Sequence, residues 1–97
     1  MHIVLALLDG ELHGYALMRR VEELSDGAVR MGPGTLYGTL NRLVADGVIA
    51  ETGRDEAERR RYYDLTDAGR AAALGELARL QTIVHRVGHH LPGGATA

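Results

Sequence analysis

Apolar residues recur at helical spacing over most of the chain and switch to alternation once, and that pattern divides it into elements. Ile3, Val4, Leu5, Leu7 and Leu8 predict a first helix that begins at or before Met1 and ends near Gly10. Residues 11–14 read as a short turn. A second helix is predicted over about 15–24, with Leu17, Val21 and Leu24 on one face and Arg19, Arg20, Glu22 and Glu23 on the polar side. Ser25, Asp26 and Gly27 end it, and a linker through Met31 leads to the third helix. Pro33 suits the first position of that helix, where its missing N–H costs nothing, and Gly47 suits its C-terminal cap. Leu36, Leu40, Leu43 and Val44 are expected to face a core; Gly34, Gly38, Asn41, Arg42 and Ala45 lie opposite and are small, polar or basic. Such a face can lie close against a flat polar surface such as a DNA groove. A solvated helix surface would carry the same pattern.

After Gly47 the period changes to two. Residues 48–52 predict a strand, residues 53–58 a charged loop and residues 60–65 a second strand, with Tyr63 and Leu65 pointing one way and Tyr62 and Asp64 the other. A two-stranded ribbon must lean on the helices to be stable. The longest helix then starts with Thr66 as N-cap and Asp67 in the first turn, and can run to about Val87, some 30 Å at ~1.5 Å per residue. Leu77, Leu80, Val84 and Val87 repeat along it at 3-4-3 spacing, widened by Leu74 and Ile83, which is the seam pattern of helix pairing. The expected fold is mainly α with a small β-hairpin, a winged helix-turn-helix followed by a long C-terminal helix. Residues 1–65 would form the DNA-binding domain, residues 66–91 a dimerisation helix and residues 92–97 a flexible tail.

Composition narrows the chemistry. With 97 residues, no Phe, no Trp and only four Tyr, the core must be built from Leu, Val, Ile, Ala and Met, and a second subunit would bury more apolar surface. The absence of cysteine removes disulfides, thiolate metal sites and cysteine nucleophiles. The apolar opening is cut by Asp9 and lacks the basic start of a signal peptide, so a soluble cytoplasmic protein without a membrane partner is expected. The net charge of −2 does not by itself point to nucleic acid. The distribution of charge is more telling: no acid lies between Gly27 and Asp46, and Arg59, Arg60 and Arg61 form a basic run. No nucleophile–base pair, phosphate-cradling loop or poised carboxylate pair is present, so neither catalysis nor a cofactor is expected.

His13-Gly14-Tyr15, Gly34-Thr35-Leu36-Tyr37, Asn41-Arg42-Leu43, Gly47-Val48-Ile49 and the run from Arg60-Arg61-Tyr62-Tyr63-Asp64-Leu65-Thr66 to Asp67-Ala68-Gly69 occur in one order. In that order and spacing the chain resembles the PadR family of transcriptional regulators over roughly residues 3 to 87. The resemblance implies a winged helix-turn-helix that dimerises through its C-terminal helix and acts as a bacterial repressor, in many members responsive to small aromatic or drug-like effectors held by the dimer. Two departures stand out: Gly38 occupies a position where the family commonly has Pro, and the first helix begins later than is usual. The single C-terminal helix is similar to that of the shorter members.

The candidate DNA contacts are therefore Thr35, Gly38, Thr39, Asn41 and Arg42 on the third helix, with Tyr37 at its flank. Arg42 is expected to hold phosphate rather than read guanine. Arg59, Arg60 and Arg61 are expected to reach DNA from the wing; since alternate strand residues face opposite ways, two of the three would do so. The opposing reading pairs these arginines with Asp55, Glu56 and Glu58. Tyr62 and Tyr63 are read as packing residues. For Tyr15 the resemblance implies a phosphate contact, and helical burial is the alternative. The partners expected are double-stranded DNA carrying a near-palindromic operator, a second copy of the chain through Leu74, Leu77, Leu80, Ile83, Val84 and Val87, and a small effector. Two other functions fit parts of the pattern: a winged-helix module that binds protein instead of DNA, and a metal sensor built on His85 and His89, for which no carboxylate is at hand.

Overall fold

A computed structural model describes residues 1–92. The elements run α1 (His2–Ala6), β1 (Leu12–His13), α2 (Gly14–Leu24), α3 (Pro33–Ala45), β2 (Ile49–Asp55), β3 (Arg60–Leu65) and α4 (Asp67–Val87), followed by a 3-10 turn at Gly88–His90. Apart from Pro92, the segment read as a flexible tail lies outside the described residues.

The first helix is shorter than its apolar run suggests. Beyond Ala6 the bonds tighten to i→i+3: Leu8 N–H donates to the Leu5 carbonyl at 3.2 Å and Gly10 N–H to that of Leu7 at 3.1 Å. Leu7 is still fully buried, because the run packs as a turn as well as it would as a helix. The expected turn over residues 11–14 is a strand instead. Leu12 and His13 pair with Tyr63 and Tyr62 of β3, giving a three-stranded antiparallel sheet of order β1-β3-β2 in place of a lone hairpin. The strand β1 runs straight into α2, whose first residue is Gly14.

The core gathers Ile3, Ala6, Leu7, Leu17, Val21, Leu36, Leu40, Ile49 and Tyr63. Two expected members are absent. Val44 is 40% exposed, since at ~100° per residue it falls to the edge of a stripe centred on Leu36, Leu40 and Leu43. Leu24 is 44% exposed, although Val21 in the same last turn of α2 is fully buried. On β3 the predicted alternation is present: Tyr63 is buried and Leu65 packs on the core, while Tyr62 turns to the His13 ring, edge-on at 5.6 Å between centroids.

The wing strand β2 extends through the residues expected to loop. Glu51 pairs with Tyr63 and Gly53 with Tyr62, so Thr52 is accommodated as a bulge and the ladder continues to Asp55–Arg60. Polarity misled the expectation here, since from Ala50 to Arg54 the strand is exposed on both faces and has no apolar side to alternate.

Helix α4 starts as predicted. Thr66 Oγ1 accepts the Gly69 N–H at 3.0 Å, and the same hydroxyl lies 2.6 Å from the Gly47 carbonyl oxygen, to which it donates. Thr66 N–H donates to the Val48 carbonyl at 3.1 Å. These bonds dock the start of α4 on the α3–β2 connection, where Gly47 holds a positive φ of 75°. Gly69 is buried against that connection, and a Cβ there would meet the Val48 backbone. Past Ala73, the side chains of Leu74, Leu77, Leu80, Ile83, Val84 and Val87 are all exposed.

Candidate nucleic-acid interface

Helix α3 presents its polar side to solvent because Leu36 and Leu40 anchor the opposite side. Thr35, Tyr37, Gly38, Asn41 and Arg42 are exposed; Thr39 is half-buried. The Thr39 hydroxyl donates to the Thr35 carbonyl at 2.9 Å, which leaves it only acceptor capacity for an outside group. At Gly38 the helix continues unbroken, and a Cβ there would meet nothing within 4 Å. The outer side of α3 is therefore low and unobstructed at its centre.

The wing is built beside it. The Asp55 carboxylate accepts the backbone N–H groups of Ala57 and Glu58 at 3.1 and 3.2 Å, closing the tip as an Asx turn. Arg59 follows with a φ of 55°, a left-handed conformation uncommon for a side chain of its size. The three consecutive arginines then divide. Arg60 pairs with Glu58 at 2.7 Å, as the local-pairing reading proposed. Arg59 and Arg61 have no acidic partner among the described residues; together with Tyr37 and Asn41 of α3 they line a cleft of about 300 Å³. Next to Arg61 in the ladder, Arg54 is bound to Glu51 at 2.6 Å, and that contact holds the Glu51 carboxyl below its ordinary value. Arg59 and Arg61 thus border α3, and with Arg54, Asp55, Glu56 and Arg60 they also line a second cleft at the wing tip. Arg42, also unpaired among the described residues, adds a further charge on α3 itself.

Tyr15 is 61% exposed, so burial in α2 is not its role. Its helix begins with two residues whose contacts the sequence reading missed. His13 is the N-cap: its Nδ1 accepts the Ala16 N–H at 3.2 Å, which requires a neutral ring. Burial, and then the nearby Arg60 charge, hold its pKa below the ordinary 6.5 against the opposing pull of Glu58. Gly14 is buried beneath Tyr37. A polar residue followed by Gly at the head of an amphipathic run was the available signal for both.

At the far end of the molecule, Ile83, Val84, Val87, Gly88, His90 and Leu91 line an apolar depression of about 410 Å³. The spacing that suggested metal chelation by His85 and His89 is interrupted, since α4 ends at Val87 and His89 lies in the 3-10 turn, its ring against that of His90. Among the described residues no group of three or more His, Cys, Asp or Glu side chains is placed to hold a metal ion.

Comparison with known proteins agrees with this architecture. Residues 4–74 match the model of the transcriptional regulator PadR-like family. A transcriptional regulator of Mycobacterium tuberculosis is 45% identical over 86 residues, covering 81% of this chain and 78% of the relative. A 37.1 kDa protein carried by a transposon of Streptomyces fradiae is 44% identical over 87 residues, but the match spans 90% of this chain and only 24% of that one. Among solved structures, a PadR-like transcriptional regulator of Bacillus cereus superposes with a TM-score of 0.73 at 22% identity, over 94% of this chain and 88% of the other, and so shares the fold. A three-stranded winged helix with a long C-terminal helix, matched by the family model over most of its length, places the chain in the PadR-like family of transcriptional regulators, which are not enzymes.

Proposed function

We propose that the protein acts as a homodimer that binds a near-palindromic DNA operator and represses transcription until a small apolar effector releases it. The observation that carries the DNA reading is the cleft between α3 and the wing, where Arg59 and Arg61, neither paired with an acid among the described residues, line the same space as Tyr37 and Asn41. Guanidinium groups without an acid partner suit phosphate oxygens, and an exposed helix of small and polar residues beside them suits the major groove. In this reading Thr35, Gly38, Thr39 and Asn41 approach the bases, Arg42, Arg59, Arg61 and Tyr15 hold phosphate, and Arg60 contributes less because Glu58 occupies it. The six exposed apolar side chains from Leu74 to Val87 supply the dimer contact, so residues 66–91, with α4 at their centre, act as the dimerisation segment and residues 1–65 as the DNA-binding domain. The effector would lodge where the long helices meet. No helix of the described residues is long and apolar enough to cross a membrane, which accords with work in the cytoplasm.

The test is a titration of the protein against its own upstream DNA and against random-sequence DNA at several salt concentrations. Specific binding should fall steeply with salt as counterions are released. Arg61→Ala should lower the affinity for all sequences and reduce the salt slope by about 1, while Arg60→Ala changes both less. Equal affinity for the two DNAs even at low salt defeats the proposal. Regulation that survives in an Arg42→Ala/Arg61→Ala variant unable to bind DNA would favour the protein-interaction module.

A further inference from the structure

Gly14 begins α2, and its backbone has no positive φ that would call for glycine. What it meets is Tyr37. A Cβ at Gly14 would lie 2.5 Å from the Tyr37 Oη, 2.9 Å from Cζ and 3.3 Å from Cε1, the three nearest atoms outside its own surroundings. The phenol end of the ring therefore rests directly on the Gly14 backbone, in a space that exists only because the side chain is missing. The same ring forms one wall of the α3–wing cleft. A second lining residue, Arg61, is reached through the other side of the junction: His13 precedes Gly14, pairs with Tyr62 across the sheet and lies with its ring edge-on to that of Tyr62, and Tyr62 adjoins Arg61. One short path thus runs Tyr37–Gly14–His13–Tyr62–Arg61 and joins both lining residues.

We propose that Gly14 is a positioning residue whose absent side chain seats Tyr37 and thereby sets the width of the cleft between α3 and the wing. This rests on the DNA-binding reading above. A methyl group at position 14 is compatible with the helix and collides only with the far end of a flexible side chain, so the fold survives and the ring is displaced. Displaced from its seat, the ring moves into the space shared with Asn41, Arg59 and Arg61, and the groups that would grip DNA lose their spacing.

The experiment combines a binding cycle with a readout that needs no DNA. In NMR spectra of the wild-type protein, the Gly14 Hα protons should show NOEs to the Tyr37 ring and a ring-current shift, both lost in Tyr37→Ala. Gly14→Ala should keep the wild-type circular dichroism spectrum and lower operator affinity on the order of tenfold; in the Tyr37→Ala background the same substitution should have no further effect, because its target is gone. Absence of the NOEs in the wild type overturns the seat. Wild-type affinity in Gly14→Ala, or an equal loss in both backgrounds, overturns the positioning role while DNA binding stands. A wild-type protein that shows the NOEs but binds no DNA overturns the DNA-binding reading and the positioning role with it.

Discussion

Gly69→Ala should destabilise this protein strongly, although it adds a single methyl group. The new Cβ would sit 2.9 Å from the Val48 carbonyl carbon, closer still to its oxygen, and 3.3 Å from Leu65 Cδ2, where ordinary contact begins at 3.4 Å. The obstacle is backbone, which cannot swing aside as a side chain tip can. The α4 helix and the α3–β2 connection must part by roughly an ångström or more to restore contact. That displacement stretches both the Thr66 N–H bond to the Val48 carbonyl, now 3.1 Å, and the 2.6 Å bond from Thr66 Oγ1 to the Gly47 carbonyl beyond bonding range. Two lost bonds at ~1 kcal/mol each and ~1–3 kcal/mol of overpacking outweigh the ≲ ~1 kcal/mol that Ala gains over Gly in a helix. The net cost is about 2–4 kcal/mol, which for a domain of this size lowers Tm by roughly 10–25 °C. Thermal unfolding followed by circular dichroism would measure it, with protein concentration held equal because association raises Tm. Gly75→Ala is the matched control: its Cβ meets nothing within 4 Å in the same helix, so stability should rise by a few tenths to ~1 kcal/mol. A Gly69→Ala protein that melts within ~3 °C of wild type would refute the argument that backbone contact dictates this glycine.

The His13 cap predicts a pH dependence. Its pKa is depressed in the folded chain, so folding favours the neutral ring; the stabilisation is complete above about pH 6.5 and is lost as pH falls through that value towards the folded pKa. Melting curves between pH 7.5 and ~5 should therefore fall less steeply for His13→Asn, which keeps an acceptor at the cap without titrating; parallel curves would exclude His13 as the cause. At the other end of the molecule, Leu80 and Val84 are exposed in the protomer, so Leu80→Glu/Val84→Glu should leave helix content unchanged. It should convert a dimer to monomer in sedimentation velocity; a wild-type protein that sediments as a monomer would remove the basis for pairing through α4.

What could be read from the chain alone is what short-range chemistry specifies. Pro33 at the start of α3, Thr66 at the start of α4 and the spacing of Leu36 and Leu40 act within one or two helical turns, so these helices start where predicted and α3 buries Leu36 and Leu40. The unpartnered stripe on α4 and the basic run at the wing were equally visible as local patterns. Only the tertiary structure decided the rest, because it depends on partners far along the chain. Leu12 and His13 become a strand because the edge of β3, some fifty residues on, offers them hydrogen bonds; nothing in residues 11–14 alone distinguishes that from a turn. Residues 53–55 are drawn into β2 by the ladder opposite, although their polarity predicts a loop. Arg60 and Arg61 are identical in sequence terms and differ in the fold, one paired with Glu58 and the other lining the cleft beside α3 without an acid partner among the described residues. Gly14 and Gly69 look like any helical glycine until the Tyr37 ring and the Val48 carbonyl are placed against them, since the reason for each is a through-space contact with another element.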